Sequence, residues 1–419
     1  MENNSKIIMH IDVNSAFLSW QAAYNDQVGI DKDIRNIPSV IGGNEEKRHG
    51  IVLAKSLPAK RLGIQTGESL MDARMKCKNL LVVPPNYDLY VKASKALITL
   101  LKEYSPYIDI FSIDECFLDF TGMEEHFGDP IKAAHKIKER IKSELGFTVN
   151  IGISSNKLLA KQAGELQKPD KVNTLFLEEV KNKLWPLPVE ELFMVGRKTK
   201  PKLNRLGIYT IGDLANSDFK IIDTILKSHG RLVYNYAWGR DDSTFNYNNY
   251  IPFKSVGNGS TIPFDVEDRE TAKKIILSLC ETTSRRIRRS NVACGVISLG
   301  IRNLDLFYRS HQRKILSSIN STEEIYQIAL ELFDDIWDGT PIRKFSLRLS
   351  QLTSSEKIQS SLFDKEESIK LIKINETIDT IRERFGDYSV TRATFLHSGL
   401  KPMLGGFAAE DYPVMSSIL

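Results

Sequence analysis

Cysteine is scarce. The chain has four in 419 residues, at Cys77, Cys116, Cys280 and Cys294. No two stand in a C-x-x-C pair, which excludes a zinc site and a disulfide framework and leaves the reduced, mostly buried thiols of a cytosolic protein. Long apolar runs are missing as well. None approaches the roughly 20 residues that cross a bilayer, so no membrane partner is expected. The polar opening, Met1 to Lys6, leads straight into an apolar strand, and no leader is expected there. A large excess of charge is also absent. The net charge is +4, so any hold on a polyanion must come from local clusters of Lys and Arg. No internal repeat is present.

What remains is the composition of a soluble globular protein, 42% hydrophobic and 26% charged. A chain of this length divides into two to four domains. Residues 7–11 read as a buried strand and Ser15 to Tyr24 as a helix; the strand Ile51 to Ala54 precedes a helix from Pro58. Leu80 to Val83 is a strand, and apolar residues at helical spacing mark a long helix over Tyr87 to Tyr104. Strands at Tyr107 to Ser112 and Cys116 to Phe120 form a central hairpin, followed by a helix (Ile131 to Leu145), a strand (Thr148 to Ser154) and a helix from Asn156. This mixture predicts an α+β, ferredoxin-like sheet with helices on one face. Residues 170–240 read as helical, and the Asn-rich stretch from Asp241 to Tyr250 reads as a linker. A second α+β unit has a helix at Glu270 to Arg289 and strands at Cys294 to Arg302 and Lys344 to Ser350. On the last strand Phe345, Leu347 and Leu349 alternate with Lys344, Ser346, Arg348 and Ser350. A short helix over Ile369 to Phe385 follows in a Ser- and charge-rich tail.

Three acids stand out. Asp12 ends the first strand, and Asp114 and Glu115 sit at the hairpin tip. If that strand lies beside the hairpin, the three carboxylates converge, repel one another and call for a cation. Carboxylate oxygens suit Mg²⁺ or Mn²⁺ rather than zinc. Two such ions about 4 Å apart suit in-line phosphoryl transfer.

The segment Phe111-Ser112-Ile113-Asp114-Glu115-Cys116-Phe117-Leu118-Asp119 resembles the S-x-D-E-x-x-x-D signature of Y-family DNA polymerases of the UmuC/DinB type. His10-Ile11-Asp12-Val13-Asn14-Ser15-Ala16-Phe17 resembles that family's first motif. The resemblance implies that Asp12, Asp114 and Glu115, with the main-chain carbonyl of Val13, bind two Mg²⁺ (or Mn²⁺). It also implies that Phe17 is a steric gate against a ribose 2′-OH. Leu57-Pro58-Ala59-Lys60-Arg61-Leu62-Gly63 resembles the Y-x-A-R-x-x-G fingers motif. Lys60 stands for its triphosphate-binding Arg, Arg61 is adjacent to share the work, and Leu57 replaces a Tyr. Asn156 to Lys161, followed by Lys168-Pro169, resembles a further block that sends Lys161 to the β- and γ-phosphates.

The remaining blocks concern DNA. Val189 to Gly196 and Lys198 to Gly207 resemble a helix-hairpin-helix with Met194-Val195-Gly196 at the turn. Backbone N–H groups there, with Gly196, Lys198 and Lys200, would hold a phosphate without reading sequence. Arg285, Arg286, Arg288, Arg289, Arg302, Lys344 and Arg348 would contact phosphates from a separate sheet, the family's little finger. Gln359-Ser360-Ser361-Leu362-Phe363 matches the Q-x-x-L-F pattern of peptides that dock on the bacterial sliding clamp through Gln359, Leu362 and Phe363.

The implied architecture is a right-hand polymerase: palm at 1–27 and 77–170, fingers at 28–76, thumb at 171–240, linker at 241–250, little finger at 251–350 and a clamp-binding tail at 351–419. The implied enzyme is a cytoplasmic, low-fidelity, translesion nucleotidyltransferase without a proofreading segment. Its partners are primer-template DNA, dNTPs, the clamp and accessory SOS proteins. Two other classes stay open: a nucleotide cyclase on a similar palm, and a catalytically silent DNA- or clamp-binding regulator.

Overall fold

A computed structural model describes residues 6–45, 48, 50–247, 253–355 and 366–403. It forms two compact units, one of residues 6–43 and 51–247, the other of the stretch around 44–50 with residues 253–355 and 366–403.

The first unit starts with β1 (Ile8–Val13) and α1 (Ala16–Gln27). A small subdomain follows: β2 (Ser39–Gly42), β3 (Val52–Lys55), α2 (Leu57–Arg61), α3 (Leu70–Lys76) and β4 (Leu81–Val83). Its sheet, ordered β3-β2-β4, closes over its own core of Val40, Val52, Ala59, Ile64, Leu70, Ala73 and Leu80. Helix α2 starts where it does because the Ser56 hydroxyl accepts the Ala59 N–H and Pro58 fills the first turn. Then come α4 (Tyr87–Leu101), β5 (Ile108–Ile110), β6 (Glu115–Asp119), α5 (Glu124–Phe127), α6 (Pro130–Arg140), β7 (Val149–Ser154), α7 (Lys157–Leu166) and β8 (Val172–Thr174).

The main sheet has the order β5-β6-β1-β7-β8. The hairpin predicted for the centre lies at one edge, and β1 takes the centre. The cause is burial on both faces: five of its six residues are buried. Met9, Ile11 and Val13 join α1, α4 and α6 in the main core. The opposite face, with Ile8 and His10, is covered by α7, so the helices do not lie on one side only. Helix α7 sits almost on the backbone of β7. A Cβ on Gly152 would lie 2.0 Å from the Ala160 carbonyl oxygen and 2.3 Å from the Gly164 nitrogen. The Asn150 side chain, one step along the same face, donates to the carbonyls of Gly164 and Gln167 at 2.9 and 3.0 Å.

The helical region holds α8 (Lys200–Asn204), α9 (Ile211–Asn216) and α10 (Phe219–Ala237). Its core of Leu184, Val189, Leu203, Ile211, Leu214 and Val233 is continuous with Leu159 and Ala163 of α7. The helix predicted over Val189 to Gly196 is one 3₁₀ turn, Val189–Glu191. Met194 takes φ 75° at the hairpin turn, a left-handed conformation that costs a side-chain-bearing residue roughly 1 kcal/mol. The predicted linker is fastened as far as it is described. Phe245 packs beside Phe117, Asn246 N–H donates to Asp109 at 3.1 Å, and Lys157 bridges Asp109 and the Thr244 carbonyl at 3.0 and 2.8 Å.

The second unit runs β9 (Ser255–Val266), α11 (Arg269–Arg289), β10 (Val292–Asn303), β11 (Tyr308–Ile319), α12 (Thr322–Ile336), β12 (Ile342–Ser354) and α13 (Glu366–Phe385). Its antiparallel sheet is ordered β11-β10-β12-β9. Phe345, Leu347 and Leu349 face α11 and α12, as the alternation predicts. The described part of the tail, 366–403, is fastened to the rest of the unit. Buried Arg382 donates to buried Glu281 of α11 at 2.6 Å. Arg288 pairs with Asp379 of α13 at 2.7 Å, and Arg285, 3% exposed, pairs with Asp387.

Gly152→Ala should destabilise the first unit by about 3 kcal/mol, because main chain rather than a flexible side chain blocks the added carbon. Urea denaturation measures this; an unchanged midpoint would refute the close approach of α7.

Candidate active site

Strand register brings the acids together. β1 and β6 are antiparallel with Asp12 opposite Glu115, and the Val13 N–H donates to the Asp114 carbonyl at 3.0 Å. The hairpin tip is tied from several sides. Phe111 and Ser112 N–H both donate to the Glu115 carbonyl at 3.1 and 3.0 Å. The Ser112 hydroxyl donates to the Asp114 carboxylate, and the buried Ser94 hydroxyl of α4 donates to the Ile113 carbonyl.

Each outer acid has a basic partner. Lys168 Nζ lies 2.7 Å from Asp12 Oδ2 and 2.6 Å from Glu165. Glu115 Oε2 accepts from His10 Nε2 at 2.9 Å and from Lys161 Nζ. The Lys161 ammonium also stands over the Phe111 and Phe193 rings, 5.0 and 5.5 Å from their centroids. Burial works to raise the Glu115 carboxyl, but the His10 hydrogen bond and the Lys161 charge outweigh it and hold the group at about 2. Burial holds the His10 imidazole below its ordinary value, so it is neutral at pH 7. Asp114 goes the other way. Burial raises it, opposed by Ser112 and reinforced by the charges of Asp12 and Glu115. Lys168 is raised despite its burial, because Asp12 faces it.

Among the described residues, no three Asp, Glu, His or Cys side chains already enclose an ion. The donor set nevertheless fits a hard divalent cation. It is all oxygen, three carboxylates and a main-chain carbonyl, and Asp114 is penalised by the very charges that a cation would neutralise. Asp12, Val13, Asp114 and Glu115 are the groups able to hold one.

The other predicted residues lie as follows. Phe17 is half-buried and stacks flat on Tyr90, with ring centroids 4.6 Å apart and planes at 7°. Lys60 and Arg61 are exposed in the last turn of α2, without an ion pair among the described residues. The Gly196 carbonyl accepts the N–H groups of Thr199 and Lys200 at 2.9 and 3.0 Å, Lys198 is exposed, and Lys200 pairs with Glu190. In the second unit, Arg302 and Lys344 are opposite each other on β10 and β12, on the face without helices. Arg348 shares that face. Arg285 and Arg288 correct the reading of α11 as a phosphate-binding row: they are spent on Asp387 and Asp379 inside the unit. Arg289 pairs with Glu383 at 3.1 Å, and Arg286 is partly buried on the same helix. Gln359, Leu362 and Phe363 lie outside the described residues. Sequence reasoning missed Lys168 and His10 as members of the site. Lys168 stood in a quoted motif; His10, two residues before Asp12, carried the signal of a polar residue within an apolar strand.

Comparison with known proteins agrees with this geometry. Residues 11–165 match the impB/mucB/samB family, residues 178–208 the IMS family HHH motif, and residues 253–362 the impB/mucB/samB family C-terminal domain. DNA polymerase IV of Clostridium acetobutylicum is 49% identical over 94% of this chain and 98% of its own. DNA polymerase IV of Acetivibrio thermocellus is 37% identical over 93% and 98%, and DNA polymerase IV 2 of Bacillus subtilis 34% over 93% and 95%. A solved Y-family DNA polymerase chimera of Dbh and Dpo4 superposes with a TM-score of 0.71 at 23% identity, covering 83% of this chain and 99% of that one. With its acids in register at one sheet end and its relatives matched along nearly their whole length, the chain belongs to the Y family of DNA polymerases.

Proposed function

We propose that the chain extends a primer by two-metal-ion nucleotidyl transfer, with Asp12, Asp114, Glu115 and the Val13 carbonyl as ligands of two Mg²⁺ or Mn²⁺ ions. It is a DNA-directed DNA polymerase of translesion synthesis, dependent on divalent cations and acting on DNA and dNTPs. The carrying observation is the pairing of Asp12 with Glu115 across β1 and β6. The primer 3′ oxygen forms a bond to the α-phosphorus as the bond to pyrophosphate breaks. Bound cations supply charge neutralisation for the attacking and leaving oxygens. The chain's own part is positioning. The hairpin ties hold Asp114 and Glu115 in place, and Lys161 and Lys168 supply positive charge beside the triphosphate. Lys60 and Arg61 add to it from the fingers; Lys60 acts as a point charge rather than a bidentate fork. Phe17, backed by Tyr90, is the gate beneath the sugar.

For DNA, the hairpin at Gly196, with Lys198 and Lys200, holds a phosphate through main-chain N–H groups. Arg302, Lys344 and Arg348 line the open sheet face of the second unit and contact the backbone. Gln359, Leu362 and Phe363 dock on the sliding clamp, a reading that rests on their sequence alone. Accessory SOS proteins and a cytoplasmic location complete it. No helix among the described residues is long and apolar enough to cross a membrane.

Asp114→Asn should lower primer extension by at least about 10²-fold. Its stability effect has the opposite sign. A carboxyl raised by folding contributes stability that is lost as pH rises through its folded value, so at pH 7 the carboxylate is a net cost. The variant should therefore melt at a higher temperature than wild type in EDTA. Equal extension would overturn the ligand assignment; a lower melting temperature would overturn the electrostatic reading. Phe17→Ala should raise ribonucleotide insertion relative to dNTP insertion by at least about tenfold; an unchanged ratio would remove the gate. Lys344→Ala with Arg348→Ala should flatten the slope of log Kd against log salt for duplex DNA by about 2; an unaltered slope would place the duplex elsewhere.

A further inference from the structure

His10 is fully buried on the central strand, on the same face as Asp12, and its Nε2 lies 2.9 Å from Glu115 Oε2. Its other nitrogen, Nδ1, is buried without a hydrogen-bond partner. A proton on Nδ1 would be an unsatisfied buried donor and would turn the Nε2 lone pair toward a carboxylate. The proton therefore belongs on Nε2, where Glu115 accepts it.

The ring is fully buried and packed between its neighbours. The Phe117 ring lies 4.9 Å from it, centroid to centroid. On the other side, a Cβ on Gly164 would stand 3.3 Å from Nδ1. Lys161 also reaches Oε2, but it does so on a four-carbon stem with rotatable donors. Of the two groups on that oxygen, the imidazole is the fully buried one and carries the shorter, stiffer side chain.

We propose that His10 is a positioning residue for the cation site: its Nε2–H holds Glu115 by Oε2 and presents Oε1 to the ion. This rests on the reading of Glu115 as a metal ligand. The imidazole touches neither ion nor substrate; it sets the rotamer of the group that does. Outer hydrogen-bond partners of this kind are worth roughly 10–100-fold in metal affinity.

The test is a Mn²⁺ titration, read by electron paramagnetic resonance, of the full chain with dNTP and a dideoxy-terminated primer-template, so that no turnover occurs. His10→Phe keeps a ring against Phe117 and removes the donor; its Mn²⁺ Kd should rise roughly 10–100-fold. His10→Gln places an amide N–H near the Nε2 position and should recover most of that loss. His10→Asn, whose amide is too short to reach Glu115, should not. This second pair decides the matter if the Phe variant does not fold. Thermal unfolding in EDTA is measured beside each titration, because lost packing alone would lower the melting temperature without moving Mn²⁺ affinity. Wild-type affinity in His10→Phe, or equal losses in the Gln and Asn variants, would overturn the proposal. Glu115→Gln is the control: wild-type Mn²⁺ affinity there would show that the ligand reading itself had failed, and His10's role with it.

Discussion

Repulsion among three carboxylates is the constraint around which the first unit is arranged. Left in water, Asp12, Asp114 and Glu115 would avoid one another. The antiparallel register of β1 and β6 forbids that, because the backbone ladder places position 12 opposite position 115 whatever their side chains prefer. The rest of the neighbourhood offsets this enforced proximity. Lys168 and Lys161 reach in from α7 and the loop after it, and Ser112 donates to the acid that has no basic partner. The result is an uneven site, with Glu115 held ionised and Asp114 kept reluctant to ionise.

Much of this was legible before any coordinates. Strand identity, the hairpin carrying Asp114 and Glu115, and the alternation on β12 follow from period-2 patterns and turn chemistry, which are local. The centre of the sheet was not legible from such patterns. Both β1 and the hairpin are apolar, and only tertiary packing decides which is flanked on two sides. Nor was α7's place on the opposite face, which depends on two glycines, Gly152 and Gly164, 12 positions apart meeting main chain to main chain. The thumb hairpin was recognised from its motif, yet its first helix shrank to a 3₁₀ turn. Motif residues specify the turn and not the length of the helix before it.

The arginines of α11 show where charge counting fails. Four basic residues within a few positions looked like an electrostatic footprint. Three of them, Arg285, Arg288 and Arg289, instead meet acids between 91 and 102 residues later in the chain. No window of sequence around α11 contains that information. Arg302, Lys344 and Arg348 were safer candidates for a physical reason: their strands alternate, so their side chains fall on the face opposite the core. On a strand, pattern predicts exposure; on a helix covered by a second layer, it does not.

The contact of α7 with β7 also constrains how such a chain can diverge. At Gly152 the helix rests on the sheet through main chain alone, so no exchange of side chains can raise or lower it by a small amount. Lineages can replace what α7 carries, trading Lys161 or Gln162 for other groups, but cannot retune its height stepwise. Variation in catalytic habit among descendants would then arise by swapping tools on a fixed rack, with the two glycines as the positions least free to drift.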